Sequence, residues 1–113
     1  MLTIASLEEL GVNTREGLER CLNNEQFYLR LVRKSMEDEN CEKLRDALEK
    51  GDLDTAFTLA HTLKGVYGNL ALTPLFTIVN EMTELLRART QADYSAMTCE
   101  LITKKNAIKA LCE

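Results

Sequence analysis

One histidine, one lysine and two glycines lie close together in the middle of the chain. His61 is the only histidine, Lys64 follows it by three residues, and Gly65 and Gly68 follow it by four and seven. At about 100° per residue, these four residues share one side of a helix. A neutral imidazole offers a lone pair near neutral pH, and an ammonium group balances anionic charge. The spacing therefore predicts a patch that a phosphate or another protein can approach.

The helical periodicity around His61 predicts that this patch is exposed. The residues expected on the buried side of the helix are Leu59, Leu63, Val66 and Leu70, with Ala56 and Tyr67 at the margin. The residues expected beside His61 are Asp54, Phe57, Thr58, Lys64, Gly65 and Gly68. Glycine inside a helix costs about 1 kcal/mol relative to alanine. On an exposed face it adds no packing, so we interpret these glycines as clearing space beside the imidazole.

Each of these side chains also has a simpler interpretation. Without its flanking residues, His61 is an exposed histidine with no function, and Lys64 is a solvated helix lysine. Phe57 either packs sideways on the first helix or offers an apolar contact to a partner, and the sequence favours neither. Hydrolysis is disfavoured because the sequence places no serine or cysteine nucleophile on a constrained turn where the histidine could activate it. The acidic run at residues 37–39 is interpreted as a solvated face, not a metal site.

The stretch His61-Thr62-Leu63-Lys64-Gly65 resembles the His-x-x-Lys-Gly signature of histidine-containing phosphotransfer (HPt) domains. Residues 47–52 are similar to the Ala-Leu-x-x-Gly-Asp segment that precedes the histidine helix in that family. Residues 25–31 resemble the start of its first long helix, and residues 75–86 fit the helix that follows the histidine. The resemblance covers most of the chain and is weakest near the C-terminus. One departure is Ala71, where the family often has glycine, and we expect only a slight change at that helix end.

The resemblance implies a function in two-component phosphorelays. His61 would accept a phosphoryl group from a phosphoaspartate of a response-regulator receiver domain, and Lys64 would balance the phosphoryl oxygens. The surface that docks the partner would be formed by Phe57, Thr58, Gly65 and Gly68. The implied partners are receiver domains and a hybrid histidine kinase. No cofactor is expected on this chain, since the Mg²⁺ ion belongs to the receiver. The chain has no nucleotide-binding loop, so we expect a transfer intermediate and not a kinase.

The composition predicts one helical domain spanning residues 1–113. Apolar residues make up 45% of the chain, with no tryptophan and one proline. The net charge of −4 and the lack of a basic patch argue against nucleic-acid binding. No apolar run approaches the roughly 20 residues of a membrane span, and no signal peptide is recognisable. We therefore expect a cytoplasmic protein, and the resemblance to HPt domains, which are often monomeric, implies a monomer. Its four cysteines are predicted to be free thiols, although two disulfides remain an alternative.

Start and stop signals predict an all-α fold, an antiparallel up-down four-helix bundle with short additional N-terminal helices. A single helical turn is expected over residues 6–10, and a helix over residues 14–22 is expected to cover one end of the bundle. One long helix, bent near Asn40, is the favoured prediction from about Glu25 to Lys50, and the alternative is that the polar run at residues 37–40 divides it into two. The histidine helix is predicted from about residue 52 to 70. The third helix starts with Thr73 as its cap, and the last is capped by Asp93.

Two functions from other classes remain as alternatives to phosphotransfer. The chain is either a helical docking module that inhibits a kinase or receiver without carrying phosphate, or a structural bundle with a coincidental motif. The histidine-bearing domain of a chemotaxis-type kinase is a close relative of the first interpretation, and the length of 113 residues disfavours it unless the chain is a fragment.

Overall fold

In the computed structural model, which describes residues 1–113, the chain forms seven α-helices and no β-strand. The helices are α1 (Ile4–Glu9), α2 (Thr14–Arg20), α3 (Glu25–Glu37), α4 (Asn40–Glu49), α5 (Leu53–Asn69), α6 (Thr73–Arg87) and α7 (Tyr94–Leu111). The protein is therefore all-helical, with two short helices before the longer ones. None of the seven helices has the length and apolar character needed to cross a membrane.

Short polar side chains start most of the helices, and Asp93 caps the last one as predicted. The caps that accept a hydrogen bond from a backbone N–H three residues further on are Thr3, Asn13, Asn24, Asp52 and Asp93. These caps satisfy amide groups that have no partner inside the helix. The prediction for α6 was wrong by one residue, because Leu72 occupies the cap position and Thr73 already belongs to the helix. The helix α2 ends two residues earlier than predicted, which leaves Leu22 exposed.

The segment predicted as one helix from about Glu25 to Lys50 is divided into α3 and α4. Asp38 has an extended backbone at the division, and its carboxylate accepts a hydrogen bond from the N–H of Asn40 at 2.6 Å. The ammonium group of Lys105 in α7 donates to the Asp38 carbonyl at 2.5 Å and to the Glu42 carboxylate at 2.8 Å. Lys105 is only 2% exposed. The division is thus held by a buried cation from the far end of the chain.

The buried face of α5 differs from the predicted one. Its buried residues are Ala56, Ala60, Leu63 and Tyr67, which displaces the centre of the apolar face by about 60° on the helical wheel. Val66, predicted to be in the core, is 37% exposed, and Leu59 is only half-buried. The physical reason is that α6 packs along the side of α5 that carries Phe57 and Lys64. His61 remains exposed despite the displacement.

The N-terminal helix α2 is fixed on the C-terminal end of α5. Gly17 in α2 lies against the ring of Tyr28 and leaves no room for a Cβ atom. The Tyr28 hydroxyl donates to the carbonyl of Leu70 at 2.8 Å. The N–H of Asn13 donates to the carbonyl of Ala71 at 3.2 Å. These contacts hold α2 beside the last turn of the histidine helix, as expected for a helix that covers one end of the fold.

The cysteines are free thiols, in agreement with the preferred prediction. Cys21 and Cys41 are buried, Cys112 is half-buried and Cys99 is exposed. The Cys41 sulfur lies 3.0 Å from the Tyr67 hydroxyl, and burial raises the pKa of the Cys41 thiol. Because the thiolate is the reactive form, the raised pKa makes the Cys41 thiol unreactive, and its side chain contributes to the packing between α4 and α5.

Candidate functional site

His61 projects from the exposed side of α5, with one aromatic neighbour. The rings of Phe57 and His61 are one helical turn apart, with centroids separated by 5.9 Å and planes inclined by 41°. The guanidinium carbon of Arg87 in α6 lies 5.2 Å from the centroid of the Phe57 ring. Phe57 therefore lies between His61 and α6. Its half-buried ring supports one side of the imidazole and leaves the other side open.

Lys64 is one turn after His61 and faces α6. Its ammonium nitrogen is 3.7 Å from a carboxylate oxygen of Glu84, and the other oxygen of Glu84 lies 3.3 Å from Nε of Arg87. Glu84 is more than half exposed, and exposed ion pairs of this kind contribute about 0.2–1 kcal/mol. The pairing of Lys64 with Glu84 is therefore weak and costs little to break.

The two glycines beside His61 have different surroundings. A Cβ atom placed on Gly65 would have no neighbour within 4 Å, so this position is open to solvent. A Cβ atom on Gly68 would lie 3.2 Å from Cε1 of Phe76, so Gly68 has a packing role between α5 and α6. Only Gly65 therefore leaves free space beside the imidazole that the fold itself does not use.

An open groove of about 540 Å³ runs beside the imidazole. The groove brings together four of the residues predicted from the sequence, His61, Lys64, Gly65 and Gly68. Phe57 and Thr58 line a separate depression, together with Asp54, Arg87 and Arg89. The exposed Thr58 donates its hydroxyl to the carbonyl of Asp54 at 3.1 Å. The predicted docking residues thus lie on both sides of His61.

The opposite wall of the groove comes from α2, which the sequence did not indicate. The residues there are the cap Asn13 and, within α2, Glu16 and Arg20. Arg20 donates to a carboxylate oxygen of Glu16 at 2.8 Å and lies 3.5 Å from the side-chain oxygen of Asn69 in α5. No local signal in residues 13–20 reveals this proximity, because it depends on how α2 packs against the end of α5.

The chemistry available at this site is that of an exposed nucleophile beside a cation. No group of three or more histidine, cysteine, aspartate or glutamate side chains is arranged to hold a metal ion. The acidic run at residues 37–39 contributes instead to the division between α3 and α4, where Asp38 binds Asn40 and Lys105. What the site offers is an imidazole, an ammonium group and a strip of bare backbone open to a macromolecule.

A comparison with models of known protein families found a match for most of the chain. The family model described as "Hpt domain" matches residues 28–113. This chain belongs to the Hpt domain family. The match includes the whole His61–Gly65 signature and every helix from α4 to α7. The helices α1 and α2 precede the matched range. Neither the comparison with curated proteins nor the comparison with solved structures found a match.

Proposed function

We propose that this Hpt protein is a histidine phosphotransfer protein of a two-component phosphorelay. His61 accepts a phosphoryl group from the phosphoaspartate of one receiver domain and passes it to another, or transfers it in the reverse direction. The observation that carries the proposal is the exposed imidazole beside Lys64 and the unobstructed Gly65, in a chain of the Hpt family.

The proposal includes the architecture and the setting of the protein. Residues 1–113 form one domain, in which α3 with α4, α5, α6 and α7 make an antiparallel four-helix bundle. The protein acts as a cytoplasmic monomer whose partners are receiver domains and a hybrid histidine kinase. It needs no cofactor of its own, since the receiver supplies the Mg²⁺ ion and the acidic pocket around it.

The transfer step is a substitution at phosphorus. The lone pair of the His61 Nε2 atom attacks the phosphorus, and the bond between phosphorus and the aspartate oxygen breaks. The electron pair leaves with the aspartate carboxylate, and the proton on Nδ1 is released to water. Because the transition state is loose and in line, catalysis consists mainly of positioning and charge balance. Phe57 supports the imidazole ring from one side, which favours one ring orientation.

Lys64 and Gly65 have separate roles in this step. As the phosphoryl group arrives, Lys64 exchanges its weak pairing with Glu84 for the phosphoryl oxygens. An ammonium group there stabilises charge that is spread over the transferred group. Gly65 permits the loops of the receiver to come within contact distance of the α5 backbone. Thr58 and Gly68 border the same contact surface on either side.

The test is phosphoryl transfer from a radiolabelled receiver domain of the same organism. We expect acid-labile, base-stable label on the wild-type protein and none on His61→Gln, which leaves the exposed surface otherwise unchanged. The matched control is Thr62→Ala, one residue away on α5, which keeps the label. A folded wild-type protein that binds a receiver but takes up no label would instead indicate a docking module. No binding and no label would indicate a structural bundle.

A further inference from the structure

Arg20 forms the outer edge of the His61 groove and lies outside the range that defines the family match. The match begins at residue 28, whereas Arg20 is the last residue of α2. Its guanidinium group has a defined position: one nitrogen donates to Glu16 at 2.8 Å, and another lies 3.5 Å from the Asn69 side chain. Glu16 is held in turn by the side chain of Asn13 at 3.2 Å. About half of the Arg20 side chain remains exposed.

The distance between Arg20 and His61 excludes one role and favours another. Asn69, which Arg20 contacts, follows His61 by eight residues, or about 12 Å along the helix axis. A phosphoryl group extends only two bonds beyond Nε2, so Arg20 does not reach it. A specific protein interface covers about 800 Å² on each partner, equivalent to a disc with a radius of about 16 Å. A receiver centred on His61 therefore covers Arg20.

The charge of the groove indicates which partner surface fits it. Two cations, Arg20 and Lys64, line the groove with a single carboxylate, Glu16. The lining residues carry one net positive charge, with Glu84 outside the lining paired to Lys64, whereas the chain as a whole has a net charge of −4. A guanidinium at a fixed position suits a carboxylate, because its planar array of donors matches the two oxygens.

We infer that Arg20 is a partner-recognition residue that pairs with a carboxylate on the rim of the acidic pocket of the receiver. This inference rests on the proposed function, since it assumes that a receiver docks over His61. Arg20 acts on the encounter and on the choice of receiver, and it has no part in the chemistry at phosphorus. The N-terminal helix α2 is thus a part of the docking surface as well as a cover for the end of the fold.

The test compares Arg20→Gln with Arg15→Gln. Arg15 belongs to the same helix, has its own partner four residues on at Glu19, and is 91% exposed away from the groove. The two substitutions remove the same charge from the same helix. The second-order rate constant for transfer from a phosphorylated receiver is measured as a function of salt. Labelling by phosphoramidate, a small phosphoryl donor that does not dock on α2, is measured in parallel.

We expect Arg20→Gln to lower the second-order rate constant by about two- to five-fold at low salt, with an unchanged rate at saturating receiver. The difference disappears at about 1 M salt, where the screening length falls to about 3 Å. Arg20→Lys recovers only part of the lost rate, because an ammonium group keeps the charge but not the planar array of donors, and phosphoramidate labelling stays the same. Equal rates for the Arg20→Gln and Arg15→Gln variants would refute the inference, and so would an equal loss with phosphoramidate. Absence of label on the wild-type protein with both donors would refute the proposed function itself.

Discussion

Replacing Gly65 by alanine is expected to stabilise the protein and to impair its transfer reaction. The added Cβ atom meets no other atom within 4 Å, so the fold accommodates it without strain. Alanine is more favourable than glycine within a helix by about 1 kcal/mol. For a chain of 113 residues, an unfolding entropy of about 2.1 cal/mol/K per residue gives a total of about 240 cal/mol/K. The expected rise in Tm is therefore about 4 °C.

The effect on phosphoryl transfer has the opposite sign. The methyl group stands on the exposed side of α5, one turn from His61, where the proposed function places the loops of a receiver. Displacing a reacting group by about 1 Å lowers rates by up to about 100-fold. We expect the rate of transfer from a phosphorylated receiver to fall at least about 10-fold. Labelling by phosphoramidate should change by less than about two-fold, because a small donor avoids the methyl group.

The control for this experiment is Thr62→Ala on the same helix. This substitution also increases helix propensity, by about half a kcal/mol, but it adds no atoms. It separates a general effect of a more stable α5 from the local effect of volume beside the imidazole. Full transfer activity in a Gly65→Ala protein with a raised Tm would refute the interpretation of Gly65 as cleared space. A lowered Tm would refute the assignment of this position as open.

Three further predictions concern stability and are tested by denaturation. Ala71→Gly is expected to stabilise the protein by about 0.5–1 kcal/mol, because relief of a left-handed backbone (φ 54°) outweighs the loss of one buried methyl group. Tyr28→Phe loses the hydrogen bond to Leu70 and costs about 1 kcal/mol at neutral pH. Burial raises the pKa of Tyr28 to about 12. The neutral phenol is thus favoured in the folded state, and its stabilisation is lost as the pH rises from about 10 towards 12. Lys105→Met is expected to cost about 2 kcal/mol, or about 8 °C in Tm, because it removes the cation that Glu42 and the carbonyl at the division of α3 from α4 share.

Each of these predictions has a control and a contradicting result. For Ala71, the control is Ala110→Gly on the exposed side of α7, which lowers the Tm, and a lowered Tm in both variants would contradict the strain argument. For Tyr28, the buried Tyr67 also has a raised pKa and titrates in both proteins, so it cancels. If the free energy of unfolding fell equally between about pH 10 and 12 in the wild-type protein and in Tyr28→Phe, the raised pKa of Tyr28 would be contradicted. For Lys105, the control is Lys104→Met, which removes an exposed ion pair with Glu100 that contributes little. An equal Tm in both variants would contradict the stabilising role of Lys105.

Local chemistry made most helix starts predictable. Asn24, Asp52 and Asp93 each bind an amide three residues away, so the interaction lies within a single short segment of the sequence. The division between α3 and α4 could not be placed in the same way. It depends on Lys105, which lies 67 residues from Asp38 in the chain. A polar run near Asn40 indicated a break but could not decide between a bend and two helices.

The candidate site shows the same contrast between local and distant interactions. The exposure of His61 and its proximity to Lys64 and Gly65 follow from helical spacing alone, and the structure retains them. The exposure of Val66 was missed because a helical wheel does not show which side a neighbouring helix will cover. Arg20 was missed because its contact with Asn69 spans 49 residues and two helices. The arrangement of residues within one helix could be predicted from the sequence. The groove could not, because it depends on how α2, α5 and α6 pack together.

The site and the core use opposite sides of α5, and this separates function from stability. The core side is formed by alanines, Leu63 and Tyr67, while His61 and Gly65 face outward. A domain typically has a free energy of unfolding of about 5–15 kcal/mol. A helical glycine that lowers it by about 1 kcal/mol therefore removes a sizeable fraction of the stability. At Gly68 a Cβ atom would crowd the ring of Phe76, so the absence of a side chain there serves the packing of α5 against α6. A Cβ atom at Gly65 would have no such neighbour, and the proposed function accounts for this glycine by the close approach of a partner to His61.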